Sequence, residues 1–160
     1  MDKIEFVLPE EIEKKSFEII TRELAERGIT LPSENESVIK RVIHTSADFE
    51  YADTLCFSDH VIEIAKKLIR EGADIVTDTN MGKAGINKRV LKRYGGQVHC
   101  FMAEEDVAKE AKKRGVTRAT VSMERAAQIK KPVIFAVGNA PTALIQLYDM
   151  IQKETYIPAM

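Results

Sequence analysis

The chain has 160 residues, 44% of them hydrophobic, which suits one globular domain over residues 1–160 whose core needs no disulfide or metal. Its 24 basic and 25 acidic residues argue against a nucleic-acid-binding protein, which would carry a basic excess. Two cysteines without paired spacing, an acidic N-terminus and the lack of a long apolar run predict a reduced, cytoplasmic protein with no signal peptide and no membrane span.

Hydrophobic spacing predicts helices and strands that alternate along the chain. The predicted helices cover residues 9–27, 34–45, 61–69, 87–93, 104–114, 117–129 and 141–151, and the predicted strands cover 54–57, 73–79, 97–102 and 133–137. Residues 80–86 contain two glycines and are predicted to form a loop that matches no nucleotide-binding motif. Alternating strands and helices favour a parallel sheet covered on both faces, so the predicted fold is α/β, with three layers in the order α/β/α.

The stretch VIFAVGNAPTALIQL at residues 133–147 joins the last predicted strand to the last predicted helix. Pro141 suits the first turn of that helix, because its missing N–H would have no partner there. Ligands of open α/β sheets bind at this edge, where free N–H groups of a first helical turn favour an anion. From these residues alone, an ordinary turn that binds nothing remains the alternative.

Several polar side chains are candidates for chemistry, and each has a structural alternative. His44 ends a predicted helix, and a helical continuation would set the Asp48 carboxylate beside its imidazole. A metal site from these two residues and His60 matches no known ligand spacing and is not predicted. Residues 77–79 can form a polar lining at a strand end, and Arg118 is either a surface charge or a cation aimed at a carboxylate.

Four motifs follow one another along nearly the whole chain. They are KRVIHT at 40–45 followed by Asp48 and Phe49, TDTNM at 77–81 followed by AGI at 84–86, TRA at 117–119, and GNAPTAL at 138–144. In this order and at about this spacing they resemble the precorrin-8X methylmutases, also called precorrin isomerases, of vitamin B12 biosynthesis. The combination of GNAPTAL with RVIHT is specific to that resemblance.

The resemblance implies a cytoplasmic, homodimeric isomerase that uses no separate cofactor and no metal of its own. Members of the family move a methyl group from C-11 to C-12 of the corrin ring, which converts precorrin-8X into hydrogenobyrinic acid or the cobalt analogue into cobyrinic acid. The family's catalytic histidine falls on His44, which we expect to give or share a proton with the macrocycle. An imidazole suits that role, because it titrates near neutral pH.

The implied substrate is an apolar plate edged by carboxylates, which favours an apolar slot with a polar rim. By resemblance, the candidate substrate-binding residues are Ser16, Arg41, Thr79, Met81, Arg118, Gly138, Asn139 and Thr142. The backbone N–H groups of the turn at 138–142 are expected to donate to an acetate or propionate side chain of the corrinoid. Neither a nucleic acid nor a membrane is an expected partner.

Family members continue beyond the position of Pro158 with a further strand and helix that this sequence does not contain, which puts turnover in question. Three interpretations follow. The chain is an active methylmutase that uses His44, a corrinoid-binding protein of the B12 pathway that has lost catalysis, or a fragment that folds only by oligomerising. The first is favoured, because all four motifs are intact and motif residues carry the chemistry.

Overall fold

The computed structural model describes residues 8–158, apart from the side chain of Glu10, and contains nine helices and three strands over that range. The helices are α1 (Pro9–Glu26), α2 (Glu36–Ser46), α3 (Tyr51–Thr54), α4 (Val61–Arg70), α5 (Asn80–Gly85), α6 (Lys88–Arg93), α7 (Glu105–Arg114), α8 (Arg118–Ala126) and α9 (Pro141–Gln152). The strands are β1 (Asp74–Thr77), β2 (Val98–His99) and β3 (Val133–Ala136). The chain separates into two compact units, Met1–Ile62 and Glu63–Met160, and the single domain predicted over 1–160 stays a prediction.

In the first unit, α1 packs against α2 through four buried aliphatic side chains. Ile20 and Leu24 lie one turn apart on α1, and Ile39 and Ile43 lie one turn apart on α2. This spacing places each pair on a single helix face, so the two faces bury each other. The packing also fixes His44, which follows Ile43 directly on α2.

The strand predicted at residues 54–57 is wrong. Residues Tyr51–Thr54 form the short helix α3, and Leu55 and Phe57 pack as irregular chain against the apolar cluster of the first unit. A short apolar run is compatible with either a strand or a buried loop, and hydrophobic periodicity alone does not distinguish the two.

Helix α2 does not continue to Asp48, the condition under which the Asp48 carboxylate would lie beside His44. It ends at Ser46, one residue beyond the predicted end, because Ala47 adopts a left-handed conformation with φ of 57°. Asp48 lies beyond this end, and its Oδ1 accepts the N–H of Glu50 at 2.9 Å. The Asp48 carboxylate is therefore used in a turn, without a hydrogen bond to the imidazole.

The second unit is built on a parallel sheet with strand order β2-β1-β3, which confirms the predicted α/β class and strand direction. The central strand carries Val76, which is fully buried against α8 and α9. Helix α5 approaches the neighbouring residue Thr77, which alternation places on the opposite face of the strand. Helices therefore cover both faces of β1, with α8 and α9 on one face and α5 on the other.

Residues 80–86 were predicted as a loop, yet Asn80–Gly85 form helix α5. Thr79 caps this helix, because its hydroxyl oxygen accepts the N–H of Gly82 at 3.0 Å. A Cβ at Gly82 would lie 3.3 Å from Cβ of Thr77, so the glycine permits close packing of α5 on β1. Of the two glycines that suggested a loop, Gly82 thus serves this close approach.

A buried carboxylate joins β1 to β2 at the start of the sheet. Asp74 accepts the N–H of Gln97 at 2.9 Å, and its other oxygen lies 2.9 Å from Nε2 of His99. Burial raises the pKa of Asp74, but these hydrogen bonds and the nearby Lys131 ammonium outweigh burial and lower it.

None of the helices within residues 8–158 combines the length and apolar character needed to cross a membrane.

We predict that Gly96→Ala destabilises the protein. A Cβ at this buried position would lie 2.3 Å from the Ala73 carbonyl oxygen and 2.9 Å from Cδ1 of Leu91, so backbone must shift. The free energy of unfolding, measured by urea denaturation, should fall by about 1–3 kcal/mol, as in other overpacked sites. Gly85→Ala is the control, since its Cβ meets no atom within 4 Å. Equal stability of the two variants would contradict the prediction.

We predict that Asp74 contributes to acid denaturation. Because folding lowers its pKa, its ionised form stabilises the fold above about pH 4, and this contribution disappears as the pH falls through the folded-state pKa. Asp74→Asn should therefore lower the free energy of unfolding at pH 7 and decline less steeply below about pH 4. Denaturant titrations at several pH values measure both effects. The exposed Asp59→Asn should keep the wild-type decline, and an equally steep decline in Asp74→Asn would refute the prediction.

Candidate active site

The first unit holds a polar group that we call the His44 cluster, formed by Glu13, Ser16 and Phe17 of α1 and Arg41 and His44 of α2. Nδ1 of His44 lies 2.7 Å from the hydroxyl oxygen of Ser16. The Phe17 ring contacts the imidazole edge-on, with the ring centroids 5.8 Å apart. The serine and the aromatic ring therefore fix the orientation of a half-buried imidazole.

The imidazole keeps one nitrogen available. Within the part of the chain that the structure describes, Nε2 of His44 forms no hydrogen bond, whereas Nδ1 is held by Ser16. A serine hydroxyl both donates and accepts, so it can pair with Nδ1 whether or not that nitrogen carries a proton. This arrangement suits a group that gives a proton through Nε2 and takes it back.

Arg41 already has partners inside the His44 cluster. Its guanidinium forms an ion pair with Glu13 and lies over the Phe17 ring, 5.4 Å from the centroid. The hydrogen bond from Arg41 lowers the pKa of the Glu13 carboxyl, and the charge of Arg41 acts in the same direction. Both side chains are exposed, so solvent screens this pair and a ligand carboxylate can compete for the arginine.

The second unit holds a separate polar group at the carboxyl end of β1 and β3. We call it the carboxyl-edge cluster, and it comprises Asp78, Thr79, Thr117 and residues 138–142. Asp78 is only 3% exposed. Its Oδ2 accepts the N–H groups of Asn139 at 2.8 Å and Ala140 at 2.7 Å, and its Oδ1 accepts that of Gly138 at 3.2 Å.

Three backbone donors keep the buried Asp78 ionised. Burial alone raises the pKa of a carboxyl, but the N–H groups of Ala140, Asn139 and Gly138 outweigh burial and lower the pKa of Asp78. These are N–H groups that the sequence assigned to a substrate carboxylate. In the structure they donate to the protein's own carboxylate, so the expectation that they are free for a ligand is wrong.

The starts of α8 and α9 meet through two threonines. The hydroxyl of Thr117, which caps α8, lies 3.2 Å from that of Thr142 in the first turn of α9. Arg118 follows Thr117, but its exposed side chain lines a shallow cleft that it shares with Lys112 of α7. Among the described residues, the guanidinium of Arg118 forms no ion pair, so its charge is available to a ligand.

Two further candidates, Thr79 and Met81, follow Asp78 within three residues of the sequence. Thr79 uses its hydroxyl oxygen to cap α5, which leaves its O–H free to donate. Met81 is 86% exposed, an unusual position for an apolar side chain and one that suits contact with an apolar ligand. Asn139 is also exposed, although its N–H is bound to Asp78.

The structure thus brings most of the candidates together in two groups. Ser16, Arg41 and His44 lie in the His44 cluster, and Thr79, Gly138, Asn139 and Thr142 lie in the carboxyl-edge cluster, whereas Met81 and Arg118 belong to neither. Sequence reasoning did not assign Glu13, and it placed Asp78 only in a general polar lining. No nearby sequence pattern indicates the contacts of Glu13 and Asp78, because the partners of these carboxylates lie 28 and about 60 residues away in the sequence.

The described residues contain no group of three or more histidine, cysteine or acidic side chains that could hold a metal ion. His44, Asp48 and His60, the metal site that the sequence did not favour, form no such group.

Comparison with known proteins identifies the family. The sequence profile of precorrin-8X methylmutase matches residues 11–160. The cobalt-precorrin-8 methylmutase of Priestia megaterium is 40% identical over 154 residues, which cover 96% of this chain and 68% of that protein. The corresponding Methanocaldococcus jannaschii protein is 39% identical over 153 residues, covering 93% of this chain and 70% of that one.

The fold agrees with a solved structure of the same kind. The crystal structure of precorrin-8X methylmutase from Thermus thermophilus superposes with a TM-score of 0.77 at 32% identity, over 89% of this chain and 69% of that chain. Sequence and structure lead to one conclusion: the chain belongs to the precorrin-8X methylmutase family, whose members are isomerases of cobalamin biosynthesis.

Proposed function

We propose that this protein moves a methyl group from C-11 to C-12 of precorrin-8X, or of cobalt-precorrin-8, to give hydrogenobyrinic or cobyrinic acid. The observation that carries the proposal is the state of His44, with Nδ1 held by Ser16 and Nε2 without a partner among the described residues. The KRVIHT motif, which resembles that of the family, supports His44 as the catalytic histidine.

In the proposed mechanism, His44 gives or shares a proton with the macrocycle through Nε2. Protonation prepares the conjugated ring for a 1,5-sigmatropic methyl shift. Substrate and product are isomers, so the proton returns to the imidazole and the balance needs no oxidant, reductant or separate cofactor. Ser16 can pair with the imidazole of His44 in either protonation state, because its hydroxyl accepts a hydrogen bond from a protonated Nδ1 and donates one to an unprotonated Nδ1.

The remaining candidates are proposed to recognise the substrate. Arg41 and Arg118 carry the positive charge that a polycarboxylate needs, and both are exposed. Thr79, Asn139 and Thr142 offer neutral hydrogen-bonding side chains, and the exposed Met81 offers an apolar contact. Gly138 contributes through the shape of its turn, since its N–H is taken by Asp78.

We further propose that the protein works as a cytoplasmic homodimer. Helix α9 supports the second part of this proposal, because Leu144, Ile145 and Tyr148 are more than half exposed on it. An apolar helix face of this kind is typical of a surface that another chain covers.

We predict that His44→Ala abolishes turnover. Removal of a general acid–base group costs about 100- to 10,000-fold in rate, so the mutant should leave precorrin-8X unchanged on the wild-type timescale. The visible spectrum of the corrinoid, recorded over time with purified protein, measures the conversion. His60→Asn is the matched control, because His60 is exposed and its φ of 55° suits asparagine.

The same spectra separate the alternatives. Near-wild-type turnover by His44→Ala would refute the proposed role of the histidine. If the wild-type protein changes the spectrum only on binding, without later conversion, the protein binds corrinoids and does not isomerise them. If neither binding nor conversion occurs at high protein concentration, the proposed function is wrong.

We predict that Arg118→Ala weakens substrate binding more than it slows chemistry. Loss of a charge-assisted hydrogen bond to a carboxylate costs about 1.5–3 kcal/mol, so KM should rise roughly tenfold or more while kcat changes little. Lys112→Ala is the control, because this lysine lines the same cleft and is also exposed. An equal rise of KM in both variants would show that general surface charge attracts the substrate, and Arg118 would lose its specific role.

A further inference from the structure

We propose that Asp78 is a positioning residue for substrate recognition, because its buried carboxylate fills the anion-binding turn before α9 in place of the substrate's carboxylate. The inference rests on the proposed function and deepens it. In this arrangement the turn before α9 meets the corrinoid through the side chains of Asn139 and Thr142, chiefly the Thr142 hydroxyl, and Asp78 sets where those side chains lie.

The contacts of Asp78 define the shape of the turn. Three consecutive backbone N–H groups converge on its two oxygens at 2.7 to 3.2 Å, which fixes the turn from Gly138 to Ala140. Pro141 and Thr142 follow at once as the first residues of α9. The direction in which α9 starts is therefore set by a residue that follows β1, 60 residues earlier in the chain.

A second set of contacts connects the start of α9 to the start of the neighbouring helix α8. Thr142 meets Thr117 at 3.2 Å between hydroxyl oxygens, and Thr117 caps α8 by accepting the N–H of Thr120 at 3.1 Å. Displacement of the turn would thus move the first turn of α9 and its bond to the start of α8. Both helix starts lie at the edge where an α/β sheet presents its ligand-binding residues.

Charge explains why a substrate carboxylate should not bind in the turn. The partial positive charge at the N-terminus of the 12-residue helix α9 favours one anion there, and Asp78 already supplies it. A second carboxylate would find no unoccupied N–H at Gly138, Asn139 or Ala140, and would face a like charge at short range. The turn therefore favours neutral hydrogen-bonding groups of the ligand over its carboxylates.

Two substitutions test the carboxylate itself. Asp78→Asn keeps the size of the side chain but replaces one accepting oxygen with an NH₂ group, which cannot accept a backbone N–H. Asp78→Ala removes both oxygens and leaves space that free formate can fill. Thr142→Val leaves the buried carboxylate intact and removes only the hydroxyl that the turn is proposed to present.

The matched control is Asp74→Asn. Asp74 is also a buried carboxylate on β1 that accepts a backbone N–H, but it lies at the opposite end of the strand. Its loss should lower the melting temperature without changing the turn at 138–140. This variant separates loss of stability from loss of positioning.

The measurement is the dissociation constant of hydrogenobyrinic acid, obtained by absorbance titration of each purified full-length variant, together with its melting temperature. Asp78→Asn, Asp78→Ala and Thr142→Val should each bind about tenfold or more weakly than wild type, the loss expected when a hydrogen-bonded group is displaced. Asp74→Asn should stay within about twofold of wild type. Added formate should restore binding to Asp78→Ala and leave Asp78→Asn unchanged.

Each outcome decides one point. Wild-type affinity in the Asp78 variants, or in Thr142→Val, would overturn the inference while the proposed function stands. Equal weakening in Asp74→Asn would assign the effect to general stability and also overturn it. If wild-type protein fails to bind hydrogenobyrinic acid, the proposed function fails first and takes the inference with it.

Discussion

The carboxyl edge of the sheet in the second unit depends on the buried Asp78 carboxylate and on the three N–H groups that keep it ionised. A buried carboxylate without partners would be protonated or expelled, because its charge would lose the stabilisation that water gives it. The three backbone N–H groups supply the partners that it needs. This single arrangement joins β1 to the turn after β3, and so defines the edge of the sheet at which the candidate substrate-binding residues gather.

In the first unit the corresponding contact joins a serine to a histidine. Apolar packing of α1 on α2 brings Ser16 and His44 within hydrogen-bond distance, and a serine hydroxyl accommodates either protonation state of the ring. Apolar packing thus fixes where the imidazole lies, while the hydroxyl can pair with Nδ1 as either donor or acceptor.

Sequence periodicity predicted the long helices and the parallel sheet well, because buried residues such as Ile20 and Leu24 repeat with the helical period. It failed for residues 54–57 and 80–86, where a short apolar run and two glycines have more than one structural solution. The catalytic role proposed for His44 came from motif resemblance and not from periodicity. The hydrogen bonds of Asp78 were beyond prediction, because donors and acceptor lie in different motifs and only the strand register brings them together.

The separation of those partners also bears on how the protein folds. The Ser16–His44 contact closes a loop of 28 residues between two helices, whereas the contact of Asp78 with Gly138 spans 60 residues and needs β1 and β3 already paired. Longer loops cost more chain entropy, and non-local strand pairing forms slowly. We therefore expect the contact between Ser16 and His44 to form earlier than the turn before α9. Ribosomal synthesis acts in the same direction, since the donors of the turn emerge well after the carboxylate that they bind.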